Sequence, residues 1–238
     1  MGGFQGGYQL DVVFVIDATG SMGPIIDQVK ERALTLGDEI KQKAEECYKY
    51  VNWLRIRVID FADFAYEGEE AIRASEFFTM PDEKEQFEKY VMSIDNDGRG
   101  GDIPENALEA LWVAMRSDWS CLPGRTKGRH IIVLITDALP LDLQERIGCF
   151  GYDSYDYPES IEEMEAAWSD TSEQGKGATM IHPRNKRLVL FAPEGEIEGH
   201  SWKKVADWEH TTFIPVKSGV GLSGMSLDDV LDEIVRNI

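Results

Sequence analysis

Val12-Val13-Phe14-Val15-Ile16-Asp17-Ala18-Thr19-Gly20-Ser21 decides how this chain is read. Five apolar residues without alternation describe a strand buried on both faces, as in a parallel sheet. The run ends on an acid and turns polar at once. A second run, Ile131-Ile132-Val133-Leu134-Ile135, ends the same way in Thr136-Asp137. Open α/β sheets hold ligands along the C-terminal edge of their strands. Asp17 and Asp137 are therefore expected on one edge. Thr19 and Ser21 follow Asp17 at two and four residues and add neutral hydroxyls, and Gly101-Asp102 adds a third acidic signal. Oxygen-only ligation of this kind suits Mg²⁺, with Mn²⁺ or Ca²⁺ as substitutes.

Outward from these strands the pattern alternates strand and helix. Residues 1–9 read as a flexible arm, and 10–238 as a single domain. Strand one spans about Leu10 to Ile16. A long amphipathic helix is predicted from Met22 to Glu46, with apolar residues at helical spacing from Met22, Ile25 and Ile26 to Ile40 and Ala44. Trp53 to Phe61 reads as strand two, and Ser75 to Met80 as a short edge strand. A helix follows to about Ser93, then a turn-rich loop, Asp95 to Gly101. Pro104 opens the next helix. Arg129 to Thr136, Arg187 to Phe191 and Thr211 to Val216 are the remaining strands. Ser226 and Asp229 make a cap for the last helix. The sum is a doubly wound, mainly parallel α/β sheet of six strands, one of them an antiparallel edge, with helices on both faces. Residues 139–186 exceed a plain crossover and carry Phe150, Tyr152, Tyr155, Tyr157 and Trp168 among many carboxylates. A long segment of this kind is expected to border a partner or to cover one face of the sheet.

Composition excludes several functions. The net charge of −20 repels nucleic acid and anionic membranes. No run of 18 or more apolar residues is present, and residues 1–8 lack the basic start and apolar core of a signal peptide. Cys47, Cys121 and Cys149 are widely spaced thiols without a disulfide framework, which fits the cytoplasm. Arg55, Arg57, Arg99 and Lys127 read as ordinary surface or paired charges.

Asp17-x-Thr19-x-Ser21, Gly100-Gly101-Asp102 and Ile135-Thr136-Asp137-Ala138 together resemble the von Willebrand factor A domain and its metal-ion-dependent adhesion site. The resemblance runs from about Leu10 to Ile238 and is strongest before Ala138. It implies a metal held by Asp17, Thr19, Ser21, Asp102 and Asp137, with a partner protein's carboxylate filling the remaining corner. The family carries a threonine where Asp102 stands. By the same resemblance, stand-alone intracellular bacterial members are scaffolds or regulatory components, including in stress-response assemblies. The function expected is a metal-dependent protein-interaction module without enzymatic activity.

Two enzyme readings compete. Haloacid-dehalogenase-like phosphohydrolases also start from a strand-terminal aspartate, but their second acid is Thr19 here, so the proton shuttle is missing. Gly219-Val220-Gly221-Leu222-Ser223-Gly224 spells a dinucleotide fingerprint, yet the chain ends at Ile238, before the strand that motif requires about 20 residues on. The four histidines are scattered and form no paired motif. A non-enzymatic alternative is a structural subunit whose metal only staples its own loops.

Asp102 generates a test. Three aspartates against one dication leave a local charge of about −1, where a threonine would leave about zero. Asp102→Thr is expected to weaken Mg²⁺ binding in calorimetry and to strengthen any partner that docks through an acid. Unchanged affinities would remove Asp102 from the ligand set.

Overall fold

A computed structural model describes residues 6–95, 104–120, 127–169, 184–219 and 224–238. Asp102, Gly100, Gly101, Cys121 and part of the 139–186 segment lie outside these residues.

The apolar runs form the centre of the sheet. β1 (Tyr8–Asp17) lies between β2 (Val51–Phe61) and β5 (Gly128–Ile135), parallel to both. β6 (Lys186–Pro193) continues the parallel order beside β5, and β7 (Thr211–Val216) beside β6. Two short strands, β3 (Ile72–Ala74) and β4 (Phe78–Met80), both pair antiparallel with β2. The sheet is seven-stranded and mostly parallel, an α/β fold of the expected class.

The seventh strand, β3, lies just before the edge strand expected from Ser75 to Met80, of which β4 keeps only the last three residues. Ile59 faces Ala74 and Ile56 faces Phe78, so three steps on β2 match four on its neighbour. The extra residue makes a bulge. Ser75 fills it: its amide donates to the Val58 carbonyl at 2.9 Å, and its hydroxyl accepts the Val58 amide at 3.0 Å.

The long helix expected over 22–46 is also divided. α1 (Gly23–Arg32) stops at a turn, and α2 (Leu36–Glu46) restarts beyond it. The Thr35 hydroxyl donates to the Arg32 carbonyl at 3.2 Å, an interaction that competes with regular helix. Gly37, in the first turn of α2, lies against Met80, where an added Cβ would meet that side chain at 2.9 Å. Apolar periodicity survives such a break because both halves bury the same stripe.

The remaining helices are α3 (Phe64–Glu67), α4 (Lys84–Met92), α5 (Ala107–Met115), α6 (Ile161–Ser169), α7 (Lys203–Ala206) and α8 (Leu227–Arg236). Alternate residues of β1 feed two cores. Leu10, Val12, Phe14 and Ile16 pack against α1, α2, α4 and α8. Val13 and Val15 pack with α5, α6 and α7. Ser226 and Asp229 form the expected reciprocal cap of α8. In the 139–186 segment, Tyr152, Tyr157 and Trp168 are buried, whereas Phe150 and Tyr155 are exposed. Among the described residues no helix is long and apolar enough to cross a membrane.

Glu109 is fully buried on α5, where its Oε1 accepts the Tyr152 hydroxyl at 3.1 Å. Burial pushes its carboxyl up from 4.5 to about 7. With the folded value above the unfolded one, its contribution to stability is present below about pH 4.5 and is lost as pH rises to about 7. Glu109→Gln is expected to gain on the parent by about 2–3 kcal/mol between pH 4 and pH 8 in denaturant titrations. An unchanged difference across that window would contradict the burial argument.

Candidate functional site

The sheet register builds the edge. Ile16 lies beside Ile135 on one side and Asp60 on the other. The residues that follow, Asp17 and Thr136-Asp137, therefore emerge together. Ala18 N–H donates to the Phe61 carbonyl, which continues the ladder one residue past β1 and holds the turn in place.

Four of the five sequence-predicted residues converge. Asp17 is completely buried and Asp137 nearly so. Asp17 Oδ1 accepts the Thr19 amide at 2.9 Å and the Thr19 hydroxyl at 2.7 Å. Ser21 donates its hydroxyl to Asp137 Oδ1 at 2.9 Å, and the Thr19 and Ser21 oxygens are 3.4 Å apart. One chain of oxygens thus runs from Asp17 through Thr19 and Ser21 to Asp137. The fifth residue, Asp102, lies outside the described residues.

Thr136 has a role that its place in the motif did not assign. Its buried hydroxyl donates to Asp17 Oδ2 at 2.6 Å and accepts the Ala138 amide at 2.9 Å. It orients the carboxylate from behind. Gly219, with φ of 66°, donates its amide to the Asp137 carbonyl at 2.9 Å. The glycine-rich turn after β7 is thereby tied to this edge. Residues 220–223 of the fingerprint lie outside the described residues.

Glu105 was not anticipated at all. It is 2% exposed, and its Oε2 is buried without a hydrogen-bond partner. Its backbone is stitched to the loop after β5: its amide donates to the Leu139 carbonyl at 3.0 Å, and its carbonyl accepts the Leu141 amide at 2.8 Å. In sequence it is one acid in the turn that opens a helix, where an acid is favoured for local reasons. Only the structure brings it to Asp17 and Asp63. Burial, then the charges of Asp17 and Asp63, push Glu105 up to about 9, with the Arg146 guanidinium acting against them.

Asp17 is pushed up to about 6 by burial, against the pull of the Thr136 and Thr19 donors, and Asp137 adds to the rise. Arg146 is committed to Asp63, which it grips through two bonds of 2.7 Å. Buried carboxylates gathered this closely, with a free oxygen lobe on Glu105, are the donor set of a hard divalent cation. The residues fit such an ion on the chemistry of the donors.

A second group of possible ligands lies at the surface. Asp142, Glu145 and His200 bring ligand atoms within 4.8 Å of one another. Nothing in the spacing of the histidines foretold this. His200 arrives through a tight hairpin in which Glu198 and Gly199 take positive φ and Ile197 pairs with His200. Exposed acids commonly cluster without an ion, and His200 Nε2 already lies 3.8 Å from Glu145.

The family model of the von Willebrand factor A domain matches residues 11–146, more than half of the 238. The chain belongs to the von Willebrand factor A domain family. Domains of this family are typically protein-interaction modules and often bind a divalent metal. Among solved structures, the domain is similar to the pilus adhesin SpaC from Lactobacillus rhamnosus GG, with a TM-score of 0.53 and 11% identity, over 98% of this chain and 31% of that one. It also aligns with proximal thread matrix protein 1 from the mussel byssus, with a TM-score of 0.47 and 12% identity, over 98% of this chain and 48% of that one. The chain thus spans less than half the length of either protein. At such identities the adhesin supports the fold alone. No curated protein matches the chain.

Thr136→Val keeps the volume and removes both hydroxyl bonds. It leaves the Asp17 carboxylate and the Ala138 amide short of partners in a buried place. The expected cost is about 1–3 kcal/mol in chemical denaturation. A cost near zero would show that Asp17 is held by its own turn alone.

Proposed function

We propose that this domain is a metal-dependent protein-interaction module that acts as a scaffold or regulatory component and catalyses no reaction. The observation that carries the reading is the chain of oxygens from Asp17 through Thr19 and Ser21 to Asp137, with the unpartnered Glu105 carboxyl oxygen close behind. Asp17, Thr19, Ser21 and Asp137 would hold Mg²⁺, or Mn²⁺ or Ca²⁺ in its place, with Asp102 as a further ligand. When bound, the cation supplies an electrostatic bridge to a carboxylate of the partner protein. Thr136 fixes the orientation of Asp17, and Gly219 anchors Asp137 by its carbonyl.

Two further supports concern class and place. Thr19 stands where a phosphohydrolase would need its second acid, and its hydroxyl is turned back onto Asp17. Cys47 and Cys149 are free thiols, which accords with a reducing cytoplasm, and a bacterial stress-response assembly is the setting the family resemblance implies. The staple reading also has an observation in its favour. Asp17 already accepts three hydrogen bonds from its own chain, so the ion would serve to hold the loops together.

Mg²⁺ is expected to raise the melting temperature, since it binds the folded state alone. EDTA should reverse the rise and Asp17→Ala should abolish it. Affinity capture with Mg²⁺ and again with EDTA separates the two roles: a partner retained only with Mg²⁺ marks the interaction module. Calorimetry showing no uptake of Mg²⁺, Mn²⁺ or Ca²⁺ by the intact chain would sink both.

A further inference from the structure

Arginines in a chain of net charge −20 are expected to find carboxylates. Arg55 forks onto Asp11 at 3.0 and 2.7 Å, Arg73 binds Asp60 at 2.9 Å, and Arg146 grips Asp63. Arg57 departs from the ordinary surface or paired charge expected of it, since it is half-buried and its Nε is shielded from solvent without a partner. Burial holds its guanidinium below the ordinary value, yet carboxylates at Glu76 and Asp118 still act against this through space.

Arg187 lacks even that. Its Nη1 donates to the Lys186 carbonyl at 2.6 Å, a bond that brings no opposite charge. Burial lowers the guanidinium, the neighbouring charge of Arg129 lowers it further, and no carboxylate of the described residues opposes them. The register explains the pairing. Arg129 lies beside Leu10 of β1, and Arg187 beside Ile131 of β5. Leu10 and Ile131 belong to one core, so both arginines leave the sheet on that face, at the end of the strands opposite Asp17 and Asp137. Arg129 donates to the Gly128 carbonyl at 2.8 Å, and its Nε is shielded without a partner. Its guanidinium carbon lies 5.8 Å from the centre of the Tyr8 ring, and the Lys127 ammonium lies 5.7 Å from the same ring. Among the described residues none of the three cations forms an ion pair. The last carbonyls of α8, which cations favour, are taken by Lys49 at 2.7 and 3.4 Å. The α8 acids Asp232 and Glu233 are bound to Lys43 and Arg236.

We propose that this basic end of the sheet binds a short acidic segment of a partner protein, with Tyr8 as a platform between the cations. Like charges held together without a counter-ion are relieved by an anion and not by a neutral group. Guanidinium forks suit carboxylates, which they engage through paired N–H groups. From β1, which carries Tyr8, to β6, which carries Arg187, two strand spacings make about 10 Å. That width exceeds one tetrahedral ion, whereas alternate carboxylates of an extended segment stand roughly 7 Å apart on one side. A long polyanion such as nucleic acid would have to cross the acidic remainder of the surface, so the net charge of −20 keeps the ligand short. The contact needs no metal, because none of these cations belongs to the Asp17 edge.

The test uses the full chain in low-salt buffer with EDTA, so that the metal edge plays no part. A fluorescein-labelled octapeptide of alternating Glu and Ser is titrated by anisotropy. The same peptide with Gln for Glu is the neutral control, and inorganic phosphate is the competitor. The parent is expected to bind the Glu peptide and not the Gln peptide, with affinity falling as salt is raised. Arg187→Glu should weaken the Glu peptide at least about tenfold. It should also melt higher than the parent at low salt, since it turns a repelling pair with Arg129 into an attracting one, and high salt should shrink that gain. Lys127→Gln alters only an exposed residue, keeps the fold, and should weaken the peptide several-fold. If Arg187→Glu does not fold, Arg187→Gln carries both readouts, because it removes the repulsion and the fork together. No binding of the Glu peptide, equal binding of the Gln peptide, or phosphate binding as tightly as the Glu peptide would overturn the proposal. So would an affinity unchanged in both variants, or an Arg187 variant that melts no higher than the parent.

Discussion

A carboxylate without water must be held by donors or neutralised by a cation, and Asp17 sets that constraint for the whole edge. It is completely buried at the end of the central strand. Thr19 supplies its donors from within the turn, and Thr136 supplies one from across the sheet because β1 and β5 stay in register to their last residues. The turn after β1, the start of α1 and the loop after β5 all follow from this requirement. Asp137 adds to the charge beside Asp17, and burial with these acids keeps the Glu105 carboxyl well above the usual carboxylate range, so the edge is more than a capped turn.

The central strands and the convergence of Asp17 with Asp137 were legible because they rest on local signals. A short apolar run without alternation, rich in β-branched residues and ending on an acid, fits a strand covered on both sides whose polar end faces the loops. The α8 cap was legible for the same reason, since Ser226 and Asp229 satisfy each other within one turn. Features that depend on two distant segments were not. The break between α1 and α2 comes with a close approach of Gly37 to the distant Met80, and no periodicity records it. The bulge at Ser75 is visible only against Val58, because a hydroxyl has taken the place of a main-chain acceptor.

Glu105 and Arg57 show the same limit. Each is an ordinary residue in its own segment: an acid near the start of a helix, and a basic residue in a strand. Each becomes unusual only through what the fold leaves around it. Glu105 keeps an oxygen with nothing to accept from, and Arg57 keeps an N–H with nothing to donate to. A sequence records the group, whereas the loss of its partner is a property of three dimensions.

The two borders of the sheet bear on how the domain behaves when crowded. Open strands invite copies of a protein to pair and grow into fibrils. On one border, the Ser75 bulge interrupts the row formed by β3 and β4. On the other, β7 carries Pro215, which has no N–H to offer a new strand. Neither border presents an unbroken ladder of free amides. Together with the strong mutual repulsion of like-charged acidic surfaces, this lets the molecule reach high local concentrations without templating its own aggregation.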